Sequence, residues 1–321
     1  MIEFIESSLH VKDSILWLDA VKAKKLSFIS SFNENYIKHS RVIATRETAS
    51  LLKEFSLSKI PLNILQMPTY KKFSIGDINI SLYPSGSNLG SSQILVKRKN
   101  KKLLYSGIIN INNMKIWDEV YYPITDILIF KTNYGEKRYK FPKIDTEIKK
   151  LKEYLIENYK NGVNSVIFID SFGFSQFILK ELSELDIPIY LQNRIFDYST
   201  YFKKLDIELG KLRKFSKSIL KTSIILYPLS KMDKFPQMDK KCKRVGISGD
   251  AVDKDFKENY KFDKTFIISN EADYYDSIKY IETVSPKKLY ILPGRNKDII
   301  EYFKDKIELE VFNYVVDKSL F

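Results

Sequence analysis

Leu26 to Ile37 reads LSFISSFNENYI, a short apolar run that stops at Ser30 and Ser31 and passes into Asn33, Glu34, Asn35 and Tyr36. Apolar residues ending in small polar ones deliver a loop from a buried strand to the mouth of an α/β sheet, where loops commonly hold sites. The next stretch, RVIATRETASLLKEF from Arg41 to Phe55, predicts a second short strand, a Thr45 cap and a helix. Ala49, Leu52 and Phe55 fall on one side of that helix.

Upstream, apolar residues recur at Ile2 and Phe4, Leu9 and Val11, Ile15 and Trp17. That alternation predicts successive antiparallel strands, the last delivering Asp19. Downstream, residues 60 to 110 read as a β-meander of Ile60 to Leu65, Ile78 to Leu82, Gln93 to Lys97 and Leu103 to Ser106. Pro68, Gly76 and the loop PSGSNLGSS, Pro84 to Ser92, punctuate it. The plain reading of this loop is a tight turn with glycines at positive φ; a phosphate cradle would want a following Lys-Ser or Lys-Thr, which is absent.

Near Asp145 the texture becomes helical, with Ile148, Leu151, Leu155 and Tyr159 on one face. Asp145 or Thr146 is the expected cap and Asn161-Gly162 the stop. SVIFIDSFGFSQFILKEL, Ser165 to Leu182, then reads strand, turn, helix, and Ile187 to Tyr190 a further strand, which predicts a small parallel sheet with covering helices.

Residues 198 to 245 are the most basic part, with Lys203, Lys204, Lys211, Arg213, Lys214, Lys240, Lys241, Lys243 and Arg244 interleaved with Tyr201, Phe202, Phe215 and Phe235. Charge plus stacking rings is how single-stranded nucleic acid is held; a solvated helix face with its rings turned inward is the duller account.

The chain's 321 residues and 44% hydrophobic content suffice for a sizeable core. Its formal charge of +13 favours a polyanionic partner, though a charged thermophile surface would look the same. No stretch nears the about 18 to 20 apolar residues of a membrane span, and the start lacks signal-peptide features, so a cytoplasmic protein is expected. One cysteine, Cys242, excludes an internal disulfide and a thiolate cluster. The two histidines, His10 and His39, leave little imidazole for a metal and are read as surface or half-buried residues. His10 is placed on an edge strand. Cys242, set among cations, would have a lowered pKa if exposed.

Taken in order, these stretches resemble the metallo-β-lactamase fold, most closely its nucleic-acid-processing branch with a β-CASP insertion. Leu18-Asp19 is similar to the start of an LDP motif, and Ser30 to Tyr36 stands where the family has SHxHxDH. Pro84, Gly86, Gly90 and Ser91 match a PAGHxxGS loop, Tyr105-Ser106-Gly107 a YSGD strand end, and Thr125 to Gly135 an ADxLIxESTYG strand whose acid is Lys131 here. Gly173, Gln176 and Leu179 match the GxxQxxL helix of the insertion. Thr265 to Gly294 resembles the closing FxLSDHADYxxLxxYIxxxxPKxVxxxHG, keeping Phe266, Ser269, Ala272, Asp273, Tyr274, Ile281, Pro286, Lys287 and Gly294. Nearly the whole chain is covered, and the length suits the smaller exonuclease-like members of DNA repair and RNA 3′-end processing.

The resemblance implies an α/β fold, an αββα sandwich over 1–144 and 261–321 with a β-CASP-like α/β cap over 145–260. It also implies a two-zinc site whose bridging water attacks a phosphodiester. At the implied ligand positions this chain has Ser31, Asn33, Asn35, Tyr36, Ser87, Ile108, Glu271 and Pro293, with Asn270 replacing a further acid. Neutral amides, hydroxyls and aliphatic groups do not hold two dications. The expectation is therefore a catalytically silent relative without cofactor or metal. It would bind nucleic acid, DNA or RNA, or accompany an active nuclease, ligase or helicase. The alternatives are a scaffold without nucleic-acid binding, and a residual Mg²⁺- or Mn²⁺-dependent nuclease using Glu271 and Asp273.

Overall fold

The structure, a computed structural model, describes residues 1–56, 63–170, 172–216, 221–237 and 241–312. The chain is mixed α/β and divides into two compact units, Met1–Lys137 with Asn270–Phe321, and Arg138–Ser269.

The first unit opens with β1 (Ile2–Ile5), β2 (Ser8–Val11), β3 (Leu16–Leu18), β4 (Leu26–Phe28) and β5 (Val42–Ala44). Helix α1 (Arg46–Phe55) follows, then β6 (Ile64–Gln66). These six strands form one sheet in chain order, antiparallel through β3 and parallel from β3 to β6. Strands β7 (Lys72–Ile75), β8 (Ile78–Pro84), β9 (Ser92–Arg98), β10 (Lys101–Tyr105) and β11 (Ile127–Phe130) build a second sheet.

Two readings of this region change. β6 leaves the expected meander for the first sheet, because the α1 crossover returns it parallel to β5; residues 60–62 lie outside the described residues. β7, unforeseen, pairs with β8 across Gly76, whose φ of +58° makes the tight hairpin. His10 lies on β2 between β1 and β3, not on an edge. Its ring stacks on Trp17, and its nitrogens meet Glu3 and the Ser14 carbonyl.

The second unit holds α2 (Ile144–Lys160), β12 (Asn164–Ile169), α3 (Phe174–Leu182), β13 (Ile189–Leu191), α4 (Asn193–Lys204), β14 (Ile224–Pro228), β15 (Cys242–Ile247), α5 (Lys254–Asn259) and β16 (Lys264–Phe266). The strands run parallel in the order β13-β14-β12-β15-β16. Central β12 is buried throughout, which is why it reads as an uninterrupted apolar run.

The second compact unit runs over Arg138–Ser269. Arg138 and Tyr139 donate to Asp253, and β16 extends the parallel sheet. Helix α2 starts from Lys143 without a side-chain cap, so Asp145 and Thr146 lie in its first turn instead. Tyr159 turns outward and Asn158 takes the buried place. The basic stretch proves more regular than its composition suggests, since β14 runs through it.

The chain returns to the first unit with α6 (Tyr274–Val284), β17 (Lys288–Ile291), α7 (Lys297–Phe303) and β18 (Glu308–Val311). β17 inserts beside β11 and completes the order β18-β17-β11-β10-β9-β8-β7. One apolar core joins the facing sheets: Leu16, Phe28 and Ile43 from the first meet Ile80, Ile94 and Ile129 from the second. A second core packs α6 and α7 on the other face of the second sheet through Leu128, Phe130, Tyr280, Ile281 and Phe303. No helix among the described residues is long and apolar enough to cross a membrane.

Candidate functional site

Asp19 is set by β3, which ends one residue before it, and takes φ +41°, a conformation Asp tolerates better than most L residues. Its carboxylate accepts from the Ser30 N–H at 2.8 Å, Ser30 Oγ at 2.5 Å and the Tyr105 hydroxyl at 2.7 Å. One carboxylate thus ties the loop after β4 to the end of β10 in the other sheet. The Ser30 carbonyl also accepts from Ser92 N at 2.7 Å. Gly107, at φ +56°, presses so close that a Cβ there would stand 3.0 Å from Ser30 Cβ.

The serine loop 84–92 is locked from two sides. Thr45 and Thr48 hydroxyls both donate to the Gly90 carbonyl, at 2.6 and 2.8 Å, and Asn270 Nδ2 donates to the Ser87 carbonyl and Asn88 Oδ1 at 3.1 and 2.9 Å. Within it, Ser91 Oγ accepts from Ser85 Oγ and Asn88 N, both at 2.9 Å. Gly86 has φ +78°, and a Cβ there would lie 2.2 Å from the Asn110 carbonyl oxygen. Gly86→Ala is expected to cost about 3 kcal/mol through the clash and the backbone strain, against about 1 kcal/mol for Gly76→Ala, which meets nothing within 4 Å. Urea unfolding of the two variants measures the difference.

Beyond Gly107, Ser106 Oγ accepts from Lys131 N at 3.3 Å. Asn133 Nδ2 donates to both Glu271 oxygens, at 3.2 and 2.9 Å, and its carbonyl accepts from Arg295 Nε at 2.8 Å. Asp273 caps α6 by accepting from Asp276 N at 2.9 Å. The loops at 30–36, 84–92, 106–108, 131–134, 270–273 and 293–295 all belong to the first unit, and these bonds link most of them.

The individual positions offer little to a cation. Asn33 and Asn35 are exposed, and Asn33 Oδ1 accepts from Asn35 N at 2.8 Å; Ser87 and Tyr36 are buried, while Ser31, Ile108, Glu271 and Pro293 are half-buried. Glu271 is engaged by Asn133 and Asp273 by a helix end. Glu34 is half-buried. Among the described residues, no group of three or more His, Cys, Asp or Glu is placed to hold a metal. The donor set does not fit a pair of dications.

His39 is fully buried, contrary to the surface or half-buried place expected, because its ring packs edge-on to Tyr36 at 5.4 Å. Nδ1 accepts from Lys24 N at 3.1 Å, so the neutral tautomer carries its proton on Nε2, which finds no hydrogen-bond partner among the described residues. Burial pushes the imidazole down to about 4. The unfolded chain therefore binds this proton first, and His39 makes stability fall as pH drops from about 6.5 toward 4. Asp276 opposes it: burial, then the Asp273 charge, raises its carboxyl to about 6, so its contribution falls as pH rises through the same window. Between pH 4 and 6.5 these two contributions offset each other. Relative to wild type, His39→Gln should lose stability with rising pH and Asp276→Asn should gain it, as read by urea unfolding.

In the second unit Lys203, Lys204, Lys211, Lys214 and Lys241 are exposed and Arg213 half-buried; Lys240 lies outside the described residues. Lys214 stands over the Phe196 ring at 4.8 Å. Lys243 is paired with Asp263 at 2.7 Å, and Arg244 lies over the Phe168 ring at 4.9 Å. The interleaved aromatics face inward: Tyr201 and Phe202 are buried, and Phe215 stacks on Phe235 beside Tyr227. The duller account therefore holds for the rings. Cys242 is half-buried, and burial, reinforced by Asp263, pushes its thiol up to about 11, against the lowering expected of an exposed thiol among cations. Sequence reasoning missed Asn133, which follows β11 in the same stretch as Lys131, because an amide in a loop carries no periodic signal.

No protein-family model matches the chain. Over 293 residues it is 23% identical to a "Probable DNA ligase" of Opitutus terrae, a match spanning 90% of this chain. Over 161 residues it is 28% identical to an "RNase J-like protein" of Methanocaldococcus jannaschii, spanning 46% of this chain. The matches cover only 29% and 38% of the lengths of those relatives. In three dimensions it is similar to a protein of unknown function from Enterococcus faecalis V583, with a TM-score of 0.55 and 13% identity over 83% of this chain and 74% of that one.

Proposed function

We propose that this chain is a nucleic-acid-binding, hydrolytically silent relative of the β-CASP nucleases, its first unit a metallo-β-lactamase αββα sandwich and its second the cap insertion. The carrying observation is the contrast between supports and ligands. Asp19, Ser30 and Tyr105 still hold the loop after β4, and Thr45 and Thr48 still hold the serine loop, while the implied ligand positions carry amides, hydroxyls, an isoleucine, a proline and a single carboxylate, Glu271, which Asn133 engages. Sequence similarity to proteins named for DNA ligation and for an RNase supports a nucleic-acid partner. The match to under a third of a probable ligase supports work beside a ligase or nuclease.

A residual Mg²⁺ or Mn²⁺ nuclease finds less support, since Asp273 caps a helix and Glu271 is held by Asn133. The test is a titration against single- and double-stranded DNA and RNA oligonucleotides at two salt levels, with a cleavage assay in Zn²⁺, Mn²⁺ and Mg²⁺. Expected are binding that weakens steeply with salt and no cleavage in any metal. Metal-dependent turnover abolished by Glu271→Ala would overturn the silent reading, and absence of binding to every oligonucleotide would overturn the nucleic-acid reading in favour of a scaffold.

A further inference from the structure

Three tyrosines from separate parts of the first unit meet on its surface. Tyr83, on β8, stacks against Tyr121 with centroids 4.9 Å apart and planes at 14°, and Tyr70 stands edge-on to both, at 5.6 and 5.4 Å. Backbone bonds position the trio: Tyr121 N donates to the Pro84 carbonyl at 3.1 Å and Tyr70 N to the Leu82 carbonyl at 2.9 Å. Elsewhere Tyr105, Tyr139, Tyr198 and Tyr280 are fully buried, yet Tyr70 is 57% and Tyr121 45% exposed. Tyr70 is also held at φ +63°, a left-handed conformation unfavourable for a bulky L residue. Strain retained to present an aromatic ring to solvent is a mark of a contact surface.

A cavity of about 180 Å³ adjoins the trio. Met67, Pro68 and Pro84 give it apolar walls, and Arg46, Glu47, Asn88 and Asp118 give it hydrogen-bonding groups. Pro84 follows Tyr83 in the chain, and the Asp118 charge acts on Tyr70, so cavity and rings are neighbours. Lys71, and Lys72 on the edge strand β7, are exposed and make no ion pair among the described residues.

We propose that the Tyr70–Tyr83–Tyr121 platform and this cavity form a base-binding subsite for single-stranded nucleic acid. A base stacks on the tyrosines, its neighbour enters the cavity, and Lys71 and Lys72 take the adjoining phosphates. Flat exposed rings, a small cavity with both apolar walls and acceptors, and two unpaired cations suit a stacked strand better than a protein knob, which wants a dry apolar pocket. The Glu47 and Asp118 carboxylates accept from exocyclic amines, so cytosine is favoured over thymine.

The inference rests on the nucleic-acid reading above, and its test is separable from that one. Fluorescein-labelled (dC)12 and (dT)12 are titrated by anisotropy against the full chain and its Tyr70→Ala, Tyr121→Ala, Tyr70→Phe and Asp118→Asn variants, each checked for native unfolding. Expected are a loss of about fivefold to a hundredfold for each alanine variant, retention in Tyr70→Phe, and an unchanged salt slope, because no phosphate contact is removed. Asp118→Asn should narrow the dC over dT preference. Alanine variants that bind as tightly as a wild type that does bind would overturn the subsite and assign the tyrosines to a protein contact. A wild type that binds neither oligonucleotide would instead sink the broader reading and the subsite with it.

Discussion

Asp19→Ala is expected to lower the unfolding free energy of the first unit by about 4 kcal/mol. Its carboxylate receives three hydrogen bonds at 2.5 to 2.8 Å, each of the charge-assisted kind. The Tyr105 hydroxyl belongs to a ring only 1% exposed, so without Asp19 it loses its acceptor where water does not readily replace it. Alanine is also less at ease than aspartate at φ +41°. Asp19→Asn keeps the shape and one good acceptor and should cost about half as much. Urea unfolding gives the magnitude, and amide exchange at Ser30 should accelerate in step. An alanine variant within about 1 kcal/mol of wild type would mean that the loop after β4 is held by something other than this carboxylate.

The second large effect concerns the exposed cations of the second unit. Simultaneous reversal of Lys203, Lys204, Lys211 and Lys241 to Glu should weaken single-strand binding about a thousandfold at low salt and flatten the salt slope by about 3. Each lost phosphate contact leaves its counterion condensed on the strand, and the introduced carboxylates add repulsion. Lys243 is left out of that set because its partner is Asp263; Lys243→Glu would place two carboxylates together and act on stability instead. Anisotropy titrations across a salt series separate the cases. An unchanged slope in the quadruple variant would reduce these lysines to a solvated face.

Local pattern alone was enough for much of the architecture. Alternation marked β1 to β3 and β8 to β10, the Thr45 cap and the spacing of Ala49, Leu52 and Phe55 marked α1, and the apolar run of β12 announced a strand buried on both faces. Each depends on residues within a few positions of one another. Where an element depended on its neighbours, the reading failed. β6 could be assigned to the first sheet only once α1 had carried it back alongside β5, and β7, whose residues are only exposed or half-buried, is a strand chiefly because β8 pairs with it. The capping of α2 failed for a related reason, since the helix starts before the residues that could have capped it.

The candidate site divides along the same line. By itself the sequence established which chemical groups are present: at the loop ends there are hydroxyls, amides, a proline and one carboxylate, Glu271, whose capacity to bind a cation is bounded by covalent structure wherever they sit. Only the tertiary structure decided what those groups touch. It turned Phe215 and Phe235 onto each other, paired Lys243 with Asp263, closed Asn133 on Glu271, buried His39 and left Tyr70 and Tyr121 in solvent. Such contacts join residues far apart in the chain, and their energies depend on distance and burial, which no spacing along a single chain records.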